Sequence, residues 1–267
     1  MRKRLDILLV ERGHFASREQ AQRAILAGTV LVDGRLMDKP GQQVPEEALL
    51  ELHGVAQPYV SRGGQKLAGA LDAFGLAVAG RVCLDLGAST GGFTDCLLQR
   101  GAARVYAVDV GRGQLAWKLR QDPRVVVIEE FNARHLKPQD LPEPPDLITI
   151  DVSFISLGLI LPGAVSVLAP AGEIVALVKP QFEAGRAQVG KHGVVRDPAA
   201  HARVLAGVVE TAGGLGLGLQ GLTHSPLRGP EGNIEFFAWW DRGAGMEVTG
   251  GMIQEVVEGA HRAFGLT

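Results

Sequence analysis

The chain has 267 residues, of which 46% are hydrophobic and 21% are charged. These values are typical of a globular protein with one or two domains and a substantial core. The formal net charge of −2 excludes a uniformly basic surface, so any surface that binds nucleic acid must be local. Cys83 and Cys96 are too few for a disulfide framework or a zinc cluster, which indicates a reducing, cytoplasmic environment.

Residues 152–172 carry no charge, which raises the question of a membrane span. A spanning helix needs about 20 predominantly apolar residues. Pro162, Pro170 and several serines and glycines interrupt this one. The segment is better explained as a buried helix between two strands, and we expect no contact with a membrane.

The first 56 residues read as a small α+β domain. Residues 5–12 predict a short helix, and Ser17, with Gln20 three positions later, predicts the start of a second. The pair Asp33-Gly34 lies between two β-type runs and predicts a tight hairpin. A last strand is expected near 47–52, followed by a linker at about 53–60.

The remaining chain, residues 61–267, alternates apolar strands with helix-length segments. This pattern is typical of an α/β, Rossmann-like domain with a mostly parallel sheet and helices on both faces. A helix is predicted near 64–74 and another around 249–264, and residues 233–240 predict an antiparallel strand at the edge. The predicted parallel strands are 82–86, 104–109, 125–128, 146–151 and 173–178.

Residues 1–37 hold seven basic and four acidic side chains, a local positive excess that suits phosphate contacts. Charge alone is equally compatible with a solvated helix surface. The string R-L-D, R-G, S-R-x-x-A and G-x-V-x-V-D-G resembles the S4 RNA-binding domain of a small-subunit ribosomal protein. The resemblance implies RNA contacts, for which Arg4, Arg18 and Arg23 are the candidates.

A glycine-rich turn, DLGASTGGF, starts at Asp85 directly after an apolar strand. Glycines there let the backbone approach a ligand at the start of the next helix. Ser89 replaces the second glycine of a dinucleotide fingerprint, so S-adenosylmethionine is the predicted cofactor. The expected cofactor-binding residues of this turn are Asp85, Gly87, Ala88, Ser89, Gly91, Gly92 and Phe93.

Two later side chains are predicted to complete the cofactor site. Asp109 ends the next strand, where a carboxylate can accept hydrogen bonds from both hydroxyls of a ribose. Asn132 follows the strand after that and is placed to meet an adenine edge. Turn or cap chemistry is the alternative role for each residue taken singly.

Four further motifs carry a closer resemblance: SRGGQKL (61–67), DVSFISL (151–157), LVKPQFE (177–183) and GNIEFF (232–237). Their order is similar to that of the TlyA, or hemolysin-A-like, branch of FtsJ-type ribose 2′-O-methyltransferases. The resemblance implies methylation of cytidines in ribosomal RNA or ribosomal subunits. It also implies a catalytic tetrad of Lys66, Asp151, Lys179 and Glu235. Asp151 is further expected at the cofactor and Arg62 at the RNA.

The residue chemistry agrees with that tetrad. A ribose hydroxyl is a poor nucleophile, so it needs a base or an orienting field. Asp151 and Lys179 end apolar strands, at the edge of the sheet where ligands bind in α/β folds. Either lysine could be the base, and Glu235 would hold Lys66 or the ribose. A surface lysine, a strand-end cap or a salt bridge is the simpler reading of each residue alone.

Three rival functions fit the sequence less well. A membrane-active, hemolysin-like protein needs a long apolar or amphipathic segment, and residues 152–172 are interrupted. A binding-only protein with this fold would be expected to lose the glycine turn or the lysines, and both are present. A methyltransferase for small molecules or proteins would not need the N-terminal RNA module. Residues 185–197 are either a mobile lid over RNA or an exposed loop.

Overall fold

The structure is a computed structural model that describes residues 2–15, 17–26, 28–52, 58–185 and 188–266. The chain divides into two compact units, Met1–Gln57 and Pro58–Thr267. Of the linker predicted at about 53–60, residues 53–57 lie outside the described residues.

The N-terminal unit combines two helices with two small antiparallel sheets. One sheet pairs β1 with β4, and the other has the strand order β3-β2-β5. Asp33 and Gly34 join β2 to β3 with φ angles of 49° and 74°, as the predicted hairpin turn requires. The elements are β1 (Arg2–Arg4), α1 (Leu5–Glu11), α2 (Arg18–Leu26), β2 (Val30–Val32), β3 (Arg35–Met37), β4 (Gln43–Pro45) and β5 (Leu50–Leu52).

A buried carboxylate lies at the centre of this unit. Asp6 has no exposed surface, and its carboxylate accepts hydrogen bonds from Arg4, Arg18 and Gln22 at 2.8–3.0 Å. Burial alone would raise the pKa of Asp6. The donors outweigh burial and hold that pKa well below its usual range. Two predicted RNA contacts, Arg4 and Arg18, are therefore engaged in holding α1 and α2 together.

The C-terminal unit is built on a seven-stranded sheet with the order β11-β12-β10-β9-β6-β7-β8. The five strands from β10 to β8 are parallel, and β11 and β12 are antiparallel additions at one edge. The first half contains α3 (Arg62–Phe74), β6 (Val82–Leu86), α4 (Gly92–Gln99), β7 (Arg104–Val108), α5 (Trp117–Arg120), β8 (Val125–Ile128) and β9 (Leu147–Ile150). The second half contains α6 (Leu157–Val167), β10 (Glu173–Val178), α7 (Pro180–Glu183), α8 (Pro198–Gly214), β11 (Gly218–His224), β12 (Phe236–Asp241) and α9 (Gly250–Ala263).

Alternation along the central strands places apolar side chains on both faces of the sheet. Leu84 and Leu86 pack with α6, α8 and α9, whereas Cys83 packs with α3 and α4 on the other face. The uncharged segment 152–172 contains the buried helix α6. None of the helices among the described residues has the length and apolar character that crossing a membrane requires.

The topology brings several strand ends to one edge of the sheet, here called the catalytic edge. β6, β9 and β10 are parallel and finish there. Because β12 is antiparallel to β10, with Phe236 opposite Val178, β12 begins at that same edge. Residues that follow the parallel strands and residues that precede β12 are therefore neighbours in space.

Two histidines are bonded to each other in the core between α8 and α9. His201 is fully buried, its Nε2 lies 3.1 Å from the carbonyl oxygen of Val195, and its Nδ1 lies 3.0 Å from Nε2 of His261. A carbonyl oxygen only accepts, so His201 carries its proton on Nε2 and accepts from His261 at Nδ1. Burial, with a smaller contribution from His261, lowers the pKa of His201 to about 4.

This pair predicts a loss of stability in mild acid. The pKa of His201 is lower in the folded chain than in the unfolded chain. The contribution of neutral His201 to the free energy of unfolding is therefore complete above about pH 6.5 and decreases towards pH 4. By pH 5 the loss is about 2 kcal/mol. Urea titrations from pH 7 to pH 5 should show this loss in the native protein and much less of it in His201→Gln. The exposed His135→Gln variant should behave like the native protein, and equal pH dependence in all three would contradict the assignment.

Candidate active site

The glycine turn lies against the end of β9. Gly87 has a φ angle of +87°, and a Cβ placed there would lie 2.6 Å from the backbone oxygen of Asp151. Only glycine allows this approach without displacing the backbone. The turn and Asp151 therefore form one continuous surface at the catalytic edge.

The first turns of α3 and α4 are also packed closely together. A Cβ at Gly92 would lie 2.8 Å from the backbone nitrogen of Gly64 and would clash with the side chain of Ser61. The glycines of the SRGG and TGG motifs thus permit the contact between the two helices. This contact fixes Lys66, on α3, beside the glycine turn.

A first cavity of about 420 Å³, the lysine cavity, opens at this edge. It is bounded by the glycine turn, the start of α3, the ends of β9 and β10, and the loop that precedes β12. The lining residues are Ser61, Arg62, Gly63, Lys66, Gly87, Ala88, Ser89, Thr90, Gly92, Phe93, Asp151, Ser153, Lys179, Arg228 and Pro230.

A second cavity of about 460 Å³, the aspartate cavity, adjoins the first. The two share Gly87, Ser89, Asp151 and Ser153. The aspartate cavity extends from the glycine turn towards the ends of β7 and β8. Its other lining residues are Val108, Asp109, Val110, Gln114, Phe131, Asn132, Ala133, Val152, Phe154, Ile155 and Ile160.

The structure brings all four predicted tetrad residues together as two ion pairs. Nζ of Lys66 lies 2.5 Å from Glu235, and Nζ of Lys179 lies 2.6 Å from Asp151. Lys179 also donates a hydrogen bond to Oγ of Ser153 at 2.9 Å. Each cation is held by a carboxylate, and the four side chains are only 1–22% exposed, so their charges interact more strongly than they would at the surface.

Glu235 lies beneath the cavity and does not line it. Its side chain is 1% exposed, and burial raises its pKa although the nearby Lys66 opposes that shift. Of the two roles open to Glu235, holding Lys66 or holding a ribose, the geometry favours the first. Glu235 fixes the direction in which Lys66 enters the lysine cavity.

Asp109 and Asn132 both line the aspartate cavity. The Asp109 carboxylate accepts backbone hydrogen bonds from Ser89 at 2.8 Å and from Gly111 at 2.7 Å. These bonds hold its plane in place and leave further lone pairs for a ligand. The amide oxygen of Asn132 accepts from the backbone of Arg134 at 3.0 Å, so its NH₂ group is the part suited to a ligand.

Two residues of the predicted cofactor set lie outside both cavities. Asp85 is fully buried and accepts hydrogen bonds from Thr94 at 2.7 Å and Thr149 at 3.3 Å. Burial raises the pKa of Asp85 to about 7. Gly91 gives room to the side chain of Leu115, which would lie 2.8 Å from a Cβ there. Both residues support the turn from below rather than face a ligand.

The predicted RNA contacts separate into three environments. Arg23 is exposed on α2, whereas Arg4 and Arg18 are bonded to Asp6. Arg62 lines the lysine cavity, and its buried Nε has no hydrogen-bond partner within the described part of the chain. Burial lowers the pKa of Arg62, yet an arginine remains charged at neutral pH.

Sequence reasoning did not assign roles to Ser153 and Arg228. Ser153 lies two residues after Asp151 in a motif already singled out, and its position there could have indicated a partner for Lys179. Arg228 enters the lysine cavity from the loop before β12. No pattern of spacing marks that arginine, because its place depends on contacts with Phe264, 36 residues further along the chain.

Comparison with known families gives two matches. Residues 59–242 match the FtsJ-like methyltransferase family, and residues 3–50 match the S4 domain. Curated relatives include a 16S/23S rRNA (cytidine-2′-O)-methyltransferase of Mycobacterium tuberculosis, 52% identical over 89% of this chain and 89% of the relative. Hemolysin A of Brachyspira hyodysenteriae is 43% identical over 88% of this chain and 98% of that protein.

Solved structures show the same architecture. One from Streptococcus thermophilus, named as a hemolysin, has a TM-score of 0.80 and 47% identity, and the match covers 99% of this chain and 97% of that chain. Another from Listeria monocytogenes, named as an S-adenosylmethionine-dependent methyltransferase, has a TM-score of 0.52 and 14% identity, covering 68% and 98%. The predicted α/β fold with an antiparallel edge and an S4 domain is confirmed.

The buried ion pair predicts a specific pattern of stability. Glu235→Leu leaves the Lys66 ammonium buried without a partner, and such a change typically costs about 3–5 kcal/mol in the free energy of unfolding. Adding Lys66→Met in the same chain should restore most of that loss, since no buried charge remains. Urea denaturation of the two variants measures both effects.

An exposed pair provides the matched control. Glu258 and Arg262 are 54% and 60% exposed and lie 3.6 Å apart on α9. Glu258→Leu should change the free energy of unfolding by less than about 1 kcal/mol. A double variant at 66 and 235 no more stable than Glu235→Leu alone would show that the pair is not the source of the effect.

Proposed function

Because the chain belongs to the FtsJ-like methyltransferase family and carries an S4 domain, we propose that it transfers the methyl group of S-adenosylmethionine to the ribose 2′-hydroxyl of cytidines in ribosomal RNA. The observation that carries the proposal is the double ion pair Lys66–Glu235 and Lys179–Asp151 at the edge of the glycine turn. The intracellular substrate implies a cytoplasmic protein.

The two cavities suit S-adenosylmethionine. Asp109 can accept hydrogen bonds from both ribose hydroxyls, and the Asn132 NH₂ group can meet a ring nitrogen of the adenine. The backbone at Gly87 and Ser89 borders both cavities, so it can contact the cofactor along its length. S-adenosylmethionine supplies an electrophilic methyl group on a positively charged sulfur.

The residues shared by the cavities mark where transfer takes place. Asp151 and Ser153 border both, and Lys179 is bonded to each of them. A 2′-hydroxyl in the lysine cavity would meet Nζ of Lys179. In its amine form, Nζ of Lys179 would accept the hydroxyl proton as the oxygen bonds to the methyl carbon and the carbon–sulfur bond breaks, and Asp151 would hold the ammonium that results. Lys66, fixed by Glu235, orients the same ribose.

Cations on both units fit an RNA substrate. Arg62 and Arg228 enter the lysine cavity, where the phosphates of the target nucleotide would lie. Arg23 is exposed on α2 of the S4 unit. Arg4 and Arg18 are half-exposed, with side chains 39% and 52% exposed, so they can meet a phosphate while they hold Asp6.

Two alternative sites of methylation on the base fit less well. Methylation of an exocyclic amine generally uses an Asn/Asp-Pro-Pro-aromatic motif, and here Asp151 is followed by Val152-Ser153-Phe154. Methylation of a pyrimidine carbon needs a thiolate nucleophile. Both cysteines are buried, and burial raises the pKa of Cys83 to about 12 and that of Cys96 to about 11.

A hydrolysis ladder tests which atom receives the methyl group. Unmethylated rRNA or ribosomal subunits are incubated with the protein and labelled S-adenosylmethionine, and the RNA is then cleaved in alkali. A 2′-O-methyl group removes the oxygen that attacks the adjacent phosphate, so a gap at a cytidine is expected. An uninterrupted ladder at stoichiometric labelling, with the label on the free base, would refute the proposal.

Lys179→Ala should separate catalysis from cofactor binding. Loss of a general base typically lowers the rate by about 10²–10⁴-fold. Lys179 lines the lysine cavity and not the aspartate cavity, so the dissociation constant for S-adenosylmethionine, measured by calorimetry, should stay within about twofold. Full activity of this variant would remove Lys179 from the mechanism.

Asp109→Ala is the reciprocal variant in the same experiment. It removes the acceptor for the ribose hydroxyls, and hydrogen bonds to a charged group contribute about 1.5–3 kcal/mol each. The affinity for S-adenosylmethionine should therefore fall by at least about tenfold. Asp146→Asn, at the opposite edge of the sheet, serves as the matched control. Unchanged cofactor affinity in Asp109→Ala would contradict its assigned role.

A further inference from the structure

Asn233 is a fully buried polar residue that joins two separate loops. Its Oδ1 accepts the backbone N–H of Val195 at 2.9 Å, and its Nδ2 donates to the backbone oxygen of Gly193 at 3.0 Å. Its own backbone oxygen accepts from Gly229 at 2.9 Å. A buried amide with its oxygen and its nitrogen both bonded to another segment fixes that segment at a defined distance.

The segment that Asn233 holds, residues 190–196, is here called the anchored segment. Its Val194 and Val195 are 8% and 2% exposed. The peptide of Val195 is held from both sides, because Asn233 accepts its N–H and His201 donates to its carbonyl oxygen at 3.1 Å. Two hydrogen bonds therefore tie Val195 to Asn233 and to α8. Residues 186 and 187 of the segment 185–197, for which the sequence leaves a mobile lid or an exposed loop open, lie outside the described residues.

The anchored segment is fixed to the wall of the active site. Asn233 lies two residues before Glu235, which holds Lys66. The loop that Asn233 closes carries Arg228 and Pro230 into the lysine cavity, and a Cβ at Gly229 would lie 2.7 Å from the Glu235 carboxylate. One buried side chain thus connects the anchored segment to the loop that builds the site.

Arg196 is an exposed cation at the end of the anchored segment. Arg196 directly follows the clamped Val195 and is exposed. It has no ion pair with any residue in the part of the chain that the structure describes. A cation that is exposed while its backbone is immobilised loses little conformational entropy when it binds an anion. Asn233, which holds this backbone, lies two residues before Glu235, so the exposed Arg196 is tied to the stretch of chain that reaches the catalytic edge.

We propose that Asn233 is a positioning residue that holds the anchored segment rigidly beside the catalytic pairs, so that Arg196 binds a phosphate of the RNA strand entering the site. This inference rests on the RNA substrate proposed above. It assigns Asn233 an effect on RNA affinity through Arg196, although Asn233 is uncharged and buried and meets no RNA itself.

The salt dependence of RNA binding tests the proposal. The dissociation constant of the full chain for an unmethylated large-subunit rRNA transcript is measured between about 50 and 200 mM salt. Arg196→Ala removes one phosphate contact, so the slope of log affinity against log salt should decrease by about 0.7–0.9. At 0.1 M salt this corresponds to roughly five- to eightfold weaker binding.

Asn233→Ala should reproduce the change in slope although it removes no charge. A role confined to stability would lower the amount of folded protein and leave the slope unaltered. The double variant should bind no more weakly than either single variant, because both lose the same contact. Multiplied effects of roughly 25- to 60-fold in the double variant would overturn the proposal.

Two matched variants control for charge and for stability. Arg104→Ala removes a cation at the opposite edge of the sheet, where β7 begins, and should leave the slope unchanged. Val257→Ala opens the core on α9, where Val257 is fully buried, and provides a destabilised protein with an intact anchored segment. An Asn233→Ala slope equal to that of Val257→Ala would overturn the proposal.

The salt dependence of RNA binding and the alkaline ladder test different properties of the protein. Binding is measured without methyl transfer, so the slopes test Arg196 and Asn233 even if the alkaline ladder shows no 2′-O-methyl group. An interrupted ladder together with independent effects of the two variants would retain the function and reject the positioning role. Arg196→Ala alone keeps the test valid if Asn233→Ala does not fold, since an unchanged slope in Arg196→Ala rejects the phosphate contact.

Discussion

The buried ion pair between Lys66 and Glu235 is the contact on which the geometry of the site depends. The two side chains are 11% and 1% exposed, and 169 residues separate them in the sequence. Burying either charge alone would cost several kcal/mol, and each charge compensates for the burial of the other. The pair therefore connects α3, at the start of the C-terminal unit, with the strand β12 near its end.

The backbone elements around that pair can pack closely because glycine occupies the positions where they touch. Gly87 lets the turn after β6 touch Asp151 at the end of β9, and Gly92 lets α4 approach α3. A side chain at position 87 would displace Asp151, and a side chain at position 92 would displace α3, which carries Lys66. The glycines thus determine where the charged residues meet, and the charged residues determine what the site can do.

The main features of this arrangement could be predicted from the sequence, because they depend on local patterns. Apolar strands with polar residues at their ends indicated the parallel sheet and its catalytic edge, and Asp33-Gly34 indicated the hairpin. The pairing of β1 with β4 could not be predicted, since each strand has only three residues and β1 is wholly charged. Periodicity gives no signal for a strand of that kind.

Contacts between distant residues could not be predicted in the same way. The resemblance to the S4 domain predicts RNA contacts for Arg4 and Arg18, but no sequence pattern indicates that both are also bonded to Asp6. Asp85 was assigned to the cofactor from its place in the turn, yet Thr94 and Thr149 hold it beneath the turn. A sequence shows which groups are charged or polar, but not which of them satisfy one another in the core.

The antiparallel edge of the sheet explains how one carboxylate can complete a site otherwise built from parallel strands. The loops after β9 and β10 supply Asp151 and Lys179, because parallel strands end together. A further parallel strand could reach this edge only with its carboxyl end. Since β12 runs the other way, residues that precede it arrive at the edge, and Glu235 and Asn233 enter from the opposite chain direction. The reversal places Glu235, the partner of Lys66, and Asn233, which holds residues 190–196, within three residues of each other. The direction of β12 therefore connects the Lys66–Glu235 pair to the anchored segment.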